Sequence, residues 1–360
     1  MSEWNTGIGV MSGTSLDGLD LVCCRFLEVK ENIRFGILSA RTIPFSSEWR
    51  ERLVFDEHIS GFDLKKLDLE FGTFIGDSIN RFIEEENLQP DFIASHGHTW
   101  FHDPNVRMNY QLGDGSEIYN VTRIPVVNDF RSLDIRMKGQ GAPLVPVGDE
   151  LLFSQYDCCV NLGGIANISG KKDRMRTSFD VVPFNLVLNL LANRLDLPYD
   201  RDGLQASQGK NDPAFREALG SFAYFDQTPP KSLGIEWVKN EIYPVIKRFD
   251  QLSTQDLLCT YVAFCCEQLV NSIGFFDKCE KILITGGGAH NGYFISSLKE
   301  LIGEGSTIVV PGAEIVDFKE ALIFAFLGKL RLENKVNCLK EVTGAASSVS
   351  GGIVYDNYIE

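Results

Sequence analysis

Residues 9–22, GVMSGTSLDGLDLV, place two carboxylates, Asp17 and Asp20, just beyond a turn of glycine, serine and threonine. Small residues let main-chain N–H groups approach an anion, hydroxyls donate hydrogen bonds, and a carboxylate holds a hard cation. The apolar runs on either side make the segment a strand–turn–strand hairpin whose tip suits a phosphate. An ordinary tight hairpin is the plain alternative. Neither a GxxxxGKS/T nor a GxGxxG pattern occurs in it, so it is not a Walker loop or a dinucleotide fingerprint. A second small-residue hairpin, NLGGIANIS at 161–169, offers bare backbone at Gly163 and Gly164, although a glycine turn serves a fold equally well. The triple glycine Gly286, Gly287 and Gly288 follows a predicted strand and precedes a predicted helix, which favours a nucleotide over the alternative of a plain connecting turn.

Other side chains suit a second reactant. Asp180 stands at a predicted strand end, where carboxylates project into clefts, and is the best general-base candidate. A helix N-terminal carboxylate is the structural alternative. Three of the chain's five histidines, His96, His98 and His102, crowd a segment read as a loop. Their spacing raises a metal site, but no familiar ligand signature completes it. Polar contact with substrate is the stronger reading. Arg131 can take a carboxylate in a bidentate pair, or bridge to Asp129 or Asp134. YDRDG at 199–203 is a polar turn, either a contact or a plain loop.

Two series of elements must position these groups. The first has strands at 7–11, 19–27 and 33–42, an amphipathic helix at 65–86, a buried strand at 91–95, a helix at 114–123 and a strand at 125–127. The second begins near 157, with strands at 158–162, 165–169 and 177–181 and a helix at 183–194. A helix at 254–275, a strand at 282–285, a helix from 293, a strand at 307–310 and a helix at 319–331 follow. Both series open on a glycine hairpin, an internal repeat of low identity. Two related α/β lobes with a nucleotide cleft between them are expected, residues 1–130 and 131–344, with 345–360 packing on the first.

At 360 residues the chain is long enough for two such cores. Lys plus Arg total 34 against 49 Asp plus Glu, a net charge of -15 that disfavours nucleic acid as a partner. The N-terminus has no signal-peptide pattern, and no apolar run is long enough to span a bilayer. Nine cysteines without CxxC spacing read as buried reduced thiols in a cytoplasmic protein.

Taken together, MSGTSLDGLD, SHGHT, QLGDG, NDFRSLD, GQGAPLVP, NLGGIANIS, FDVVPFN, YDRDG, PPKSLG, TGGGAHN and the late Glu320-Ala321 pair resemble the 1,6-anhydro-N-acetylmuramic acid kinase family, in order and over nearly the whole chain. The resemblance implies the actin-like, ribonuclease-H-like fold of sugar kinases. It implies ATP and Mg²⁺ as cofactors, a sugar substrate, no membrane partner and a homodimer as the candidate assembly. Water would open the anhydro ring, and O6 would accept the γ-phosphoryl group, giving N-acetylmuramic acid 6-phosphate in cell-wall sugar recycling.

Carried over by motif, Gly13, Thr14, Ser15, Leu16, Asp17, Gly18, Leu19 and Asp20 would hold ATP phosphates, with Asp17 the candidate Mg²⁺ ligand. Gly163, Gly164, Gly286, Gly287 and Gly288 complete the nucleotide set. Asp180 would take the proton of the attacking water. His96, Thr99, Asp129, Arg131, Asn185 and Glu320 would face the sugar. This chain departs from the family at Val181, Val182, Phe184 and Asn189, at Lys138 where glycine is usual, and at His98 where glutamine is usual. Those changes point to a kinase of another sugar as the alternative. A nucleotide sensor without turnover is the other, and Asp180 speaks against it.

Overall fold

Long apolar stretches in the first thirty residues make two strands largely buried on both faces, as central sheet positions require. The computed structural model describes residues 5–13, 16–30 and 32–356. Strands β1 (Asn5–Ser12), β2 (Gly18–Val29) and β3 (Asn32–Pro44) form an antiparallel meander. β4 (Phe92–Asp103) then lies parallel to β1, and β6 (Val126–Asn128) parallel to β4, while β5 (Met108–Leu112) hairpins back on β4. β12 (Ile353–Tyr355) closes the edge antiparallel to β6, giving the order β12-β6-β4-β1-β2-β3.

The second sheet repeats the plan. β7 (Cys158–Leu162), β8 (Ile165–Lys172) and β9 (Met175–Pro183) form the meander. β10 (Lys281–Thr285) and β11 (Thr307–Val309) add in parallel, for the order β11-β10-β7-β8-β9. In both sheets the third, second and first strands are antiparallel neighbours, and the next strands extend from the first in parallel. That shared order is the ribonuclease-H-like plan expected of actin-like lobes.

Each sheet has its own core. Helix Gly61–Glu86 presents Phe71, Ile75, Ile79 and Phe82 at helical spacing to the first sheet, all essentially inaccessible to water. Burying each contributes about 2 kcal/mol. Ser60 caps its start by accepting from the Asp63 N–H, and Asn87 ends it in the left-handed conformation. The helix therefore begins four residues before the periodic pattern at 65. In the second core, helices Asn185–Ala192, Thr254–Ile273 and Gly292–Ile302 contribute Leu191, Tyr261, Phe264 and Phe294.

The structure revises several expectations. Compact units divide into Met1–Ser154 with Phe318–Glu360, and Gln155–Asp317. The divisions therefore fall after 154 and 317, not after 130 and 344. Contacts between 131–154 and the late chain explain this. Gln140 N–H donates to the Thr343 carbonyl at 2.8 Å, and the buried Lys319–Asp149 pair is 2.6 Å apart. The histidine segment is strand, not loop, because β4 runs on to Asp103 to pair with β5. Pro183 ends β9 instead of starting a helix. Cys158 and Cys279 form a disulfide with Cα atoms 5.6 Å apart, a juxtaposition that a sequence separation of 121 conceals. The seven other cysteines are buried and form no disulfide among the described residues.

Candidate active site

In the first unit the β1–β2 turn supplies the phosphate candidates. Thr14 and Ser15 lie outside the described residues. Leu16 has φ 58°, and its N–H donates to the Gly13 carbonyl at 3.3 Å. Asp17 is exposed at the tip, and its carbonyl accepts the Phe45 N–H at 3.3 Å. Gly18 pairs with Pro44, and Leu19 turns its side chain fully into the core, so only its main chain is available to a ligand. Asp20 faces Thr42 across β2–β3 and accepts its hydroxyl at 2.5 Å.

Within β4, a network fixes the state of His96. Arg131 Nε donates to His96 Nε2 at 3.1 Å, so that nitrogen is the acceptor and Nδ1 carries the proton donated to the Gly97 carbonyl at 2.9 Å. Burial, reinforced by Arg131, pushes the His96 pKa well below its ordinary value and keeps the ring neutral. Arg131 also donates to the Gly141 carbonyl at 2.6 Å. Burial lowers its pKa to about 10, and the guanidinium stays charged at neutral pH. Neither Asp129 nor Asp134 bridges to it. Asp129 accepts the Ser132 hydroxyl at 2.6 Å, while fully buried Asp134 takes the Thr343 hydroxyl at 2.7 Å and the Gly141 N–H at 2.8 Å. Burial raises the Glu320 carboxyl despite Lys319 and Arg131 nearby, and Asp20 raises it further.

Asp20, His96, Arg131 and Glu320 are thus one electrostatic cluster. His96 and Asp129 also line a pocket of about 160 Å³. Thr99 stands apart, its hydroxyl donating to Gln111 Oε1 at 2.9 Å. His98 is buried and within 3.0 Å of the Ser12 hydroxyl, and His102 meets Asn109 at 3.2 Å. Among the described residues, no group of three His, Cys, Asp or Glu side chains is placed to hold a metal ion.

In the second unit, Gly163 and Gly164 accept main-chain N–H bonds from Asn185 (3.2 Å) and Phe184 (2.8 Å), seating the start of helix Asn185–Ala192 on the β7–β8 turn. Asn185 Nδ2 donates to the Leu162 carbonyl at 3.0 Å. Its side chain therefore sits with the glycines and lines a pocket of about 450 Å³ with Gly287, Gly288, Leu188, Asn189 and Tyr199. The three late glycines differ. Gly286, at φ 83°, faces Asn161 and the Leu162 backbone, and a Cβ on Gly288 would strike the Phe184 ring. A Cβ on Gly287 would meet nothing nearer than 3.9 Å, so internal packing does not demand glycine there.

Val181, Val182 and Phe184 are 1%, 0% and 0% exposed. These three departures therefore face the core, while the fourth, Asn189, lines the pocket. Asp200 accepts from Gln205 and Ala206 N–H groups, and Asp202 from Gly292 N–H, so the YDRDG carboxylates pin loops.

Asp180 lies within β9, opposite Asn167 and beside a bulge in the β8–β9 register. Its Oδ2 accepts the Leu233 N–H at 2.9 Å. Oδ1 has no hydrogen-bond partner among the described residues. Burial raises its pKa to about 6, against the lowering effect of that N–H. A carboxylate so placed is a base that is free near neutral pH.

Residues 5–357 match the family model for anhydro-N-acetylmuramic acid kinase. The chain belongs to this family. A Mannheimia succiniciproducens protein of that name is 33% identical over 376 residues, covering 97% of this chain and 98% of its own. A Sulfurimonas denitrificans protein of the same name is 31% identical over 382 residues, with 99% and 100% covered. Membership makes the chain a kinase of the sugar-recycling type. Sequence reading passed over Leu188 and Tyr224, whose apolar and aromatic character reads as core. PPKSLG, the motif that holds Leu233 against Asp180, carries no sign of that role in its local sequence.

Proposed function

We propose that this chain uses ATP and Mg²⁺ in the cytoplasm to open the 1,6-anhydro ring of anhydro-N-acetylmuramic acid and phosphorylate its O6. Asp180 carries the reading, a buried carboxylate with one oxygen fixed by Leu233 and the other without a hydrogen-bond partner among the described residues. It takes a proton from water as the water oxygen bonds to the anomeric carbon. The C1–O6 bond breaks, and O6 takes the γ-phosphoryl group while ADP leaves. The product is N-acetylmuramic acid 6-phosphate.

The β1–β2 turn and the glycine-lined pocket of the second unit are the elements we assign to ATP. Leu188 and Tyr199 supply the apolar walls for a base, and Gly287 the bare backbone. An exposed carboxylate at Asp17 fits Mg²⁺, which takes one or two carboxylates beside phosphate oxygens and water. When bound, the ion neutralises phosphoryl charge. Arg131 keeps N–H groups beyond those given to His96 and Gly141, enough to meet a sugar carboxylate. Asp129 and Glu320 are the acceptors for sugar hydroxyls. The core-facing placement of Val181, Val182 and Phe184 supports the family's sugar over a different one.

Incubation with ATP, Mg²⁺ and 1,6-anhydro-N-acetylmuramic acid should give, by mass spectrometry, a product that has gained one water and one phosphoryl group. Turnover of another sugar alone, or phosphoryl gain without water, would contradict the reading.

A further inference from the structure

β9 is the last strand in the order of its sheet, and residues 229–234, PPKSLG, lie along its edge. Asp180 N–H donates to the Lys231 carbonyl at 3.2 Å, two positions before Leu233 donates back to the carboxylate. From another element, helix Ala223–Asp226, the Tyr224 hydroxyl donates to the Asp180 carbonyl at 2.7 Å. Lys231 joins the two. Its ammonium donates to the carbonyls of Tyr224 (3.2 Å) and Phe225 (3.4 Å), and lies 4.8 Å from the Tyr224 ring centroid and 5.9 Å from that of Phe179.

Asp180 is thus held at its N–H, its carbonyl and one carboxylate oxygen; the first two ties lead to Lys231 or to Tyr224, which Lys231 binds, and the third to Leu233, two positions further along the same strap. We propose that Lys231 is a positioning residue for Asp180. By pinning the 229–234 strap to residues 224 and 225, it holds the Leu233 N–H on one carboxylate oxygen and keeps water off the pair. The other oxygen is left for the proton. Lys231 itself touches no reacting atom in this scheme. A lysine suits the role because one ammonium has three donors to bridge two carbonyls while its stem covers aromatic rings.

This inference rests on the reading of Asp180 as the base. The titratable group that Asp180 acts on is Tyr224 from its helix, while the charge acting on Lys231 in the strap is Asp226. Asn167, opposite on β8, is neutral. None supplies the main influence on Asp180, which is burial, so loosening the strap acts through water.

The test is a ¹³C-carboxyl NMR titration of Asp180 in the full-length protein, with kcat measured alongside. Lys231→Met keeps the stem and removes the donors. It should move the Asp180 midpoint about one unit down, toward the ordinary carboxylate value. It should also lower kcat roughly tenfold with KM for ATP little changed, since a loosened base costs rate before binding. Lys231→Arg, which retains donors, should recover part of both. An unmoved midpoint, or a slower enzyme with an unmoved midpoint, would overturn the proposal and leave Lys231 a purely structural residue. If Lys231→Met does not fold, Tyr224→Phe deletes only the hydroxyl on Asp180, and a smaller shift in the same direction is expected; no shift overturns it. Because the titration needs no turnover, its failure is distinguishable from failure of the sugar reading, which shows as an inactive unsubstituted protein.

Discussion

The two hairpin sheets share a frame but place their acids on opposite strands. Next to the first turn, Met11 pairs with Asp20 on β2, and Asp20 faces Thr42 on β3. At the matching register of the second sheet, Asn161 pairs with Asn167 on β8, and Asn167 faces Asp180 on β9. Acid and neutral partner have exchanged strands. Their surroundings differ as well. Asp20 accepts a hydroxyl beside a turn whose tip carries exposed Asp17, while Asp180 lies under a strap with only a main-chain N–H on its carboxylate. A solvated pair of acids suits cation and phosphate, and a desolvated one suits proton transfer. One fold run twice thereby yields two different chemistries from a change of strand and of water.

The sharpest way to break this comparison is to neutralise the second acid. Asp180→Asn should lower kcat by ~10³-fold or more while ATP affinity, read by calorimetry, changes little. Loss of ATP binding would place Asp180 with the phosphates and erase the contrast. The same substitution has a stability consequence of opposite sign. A carboxyl whose pKa is raised to about 6 by burial opposes folding when ionised. That cost is absent below the ordinary carboxylate pKa, grows as pH rises, and is complete above about 6. Asp180→Asn should therefore stabilise the fold by ~2 kcal/mol at about pH 8 and by almost nothing at about pH 4, in denaturant titrations.

Glycines sharpen the nucleotide half of the comparison. Gly286→Ala puts a Cβ at φ 83° against Asn161 and Leu162, and should cost ~1–2 kcal/mol of stability in thermal melts. Gly287→Ala meets nothing inside the protein and should leave stability within ~0.5 kcal/mol, while weakening ATP several-fold. The smallest effect is at Lys138, which adopts φ 69°. Lys138→Gly should gain up to ~1 kcal/mol in a melt with no change in kcat, because the left-handed backbone disfavours a side chain there.

Much of this was legible in the sequence because the hairpin motifs pair small residues with apolar flanks, and both patterns are local. Helix Gly61–Glu86 was readable from its periodicity for the same reason. The histidine segment misled because a polar run ordinarily marks a loop, whereas here β5 gives β4 a partner for its extension. Lys138 stood out as a departure, and its positive φ supplies the reason glycine is usual. The run from Val181 to Phe184 looked like a change in the sugar side and proved to be core, since facing Phe294 and Gly288 is a tertiary fact. The Cys158–Cys279 bond and the bond from Asp180 N–H to the Lys231 carbonyl also join segments far apart in sequence, which no local pattern reports.

The central claim is that Asp180 works as a desolvated base, and the pH dependence of kcat tests it most directly. The account predicts a plateau at neutral pH with a break near about 6, and a tenfold fall per unit below it as Asp180 takes up a proton. A rate that stays level through that break, or an Asp180→Asn enzyme that keeps the same limb, would contradict it.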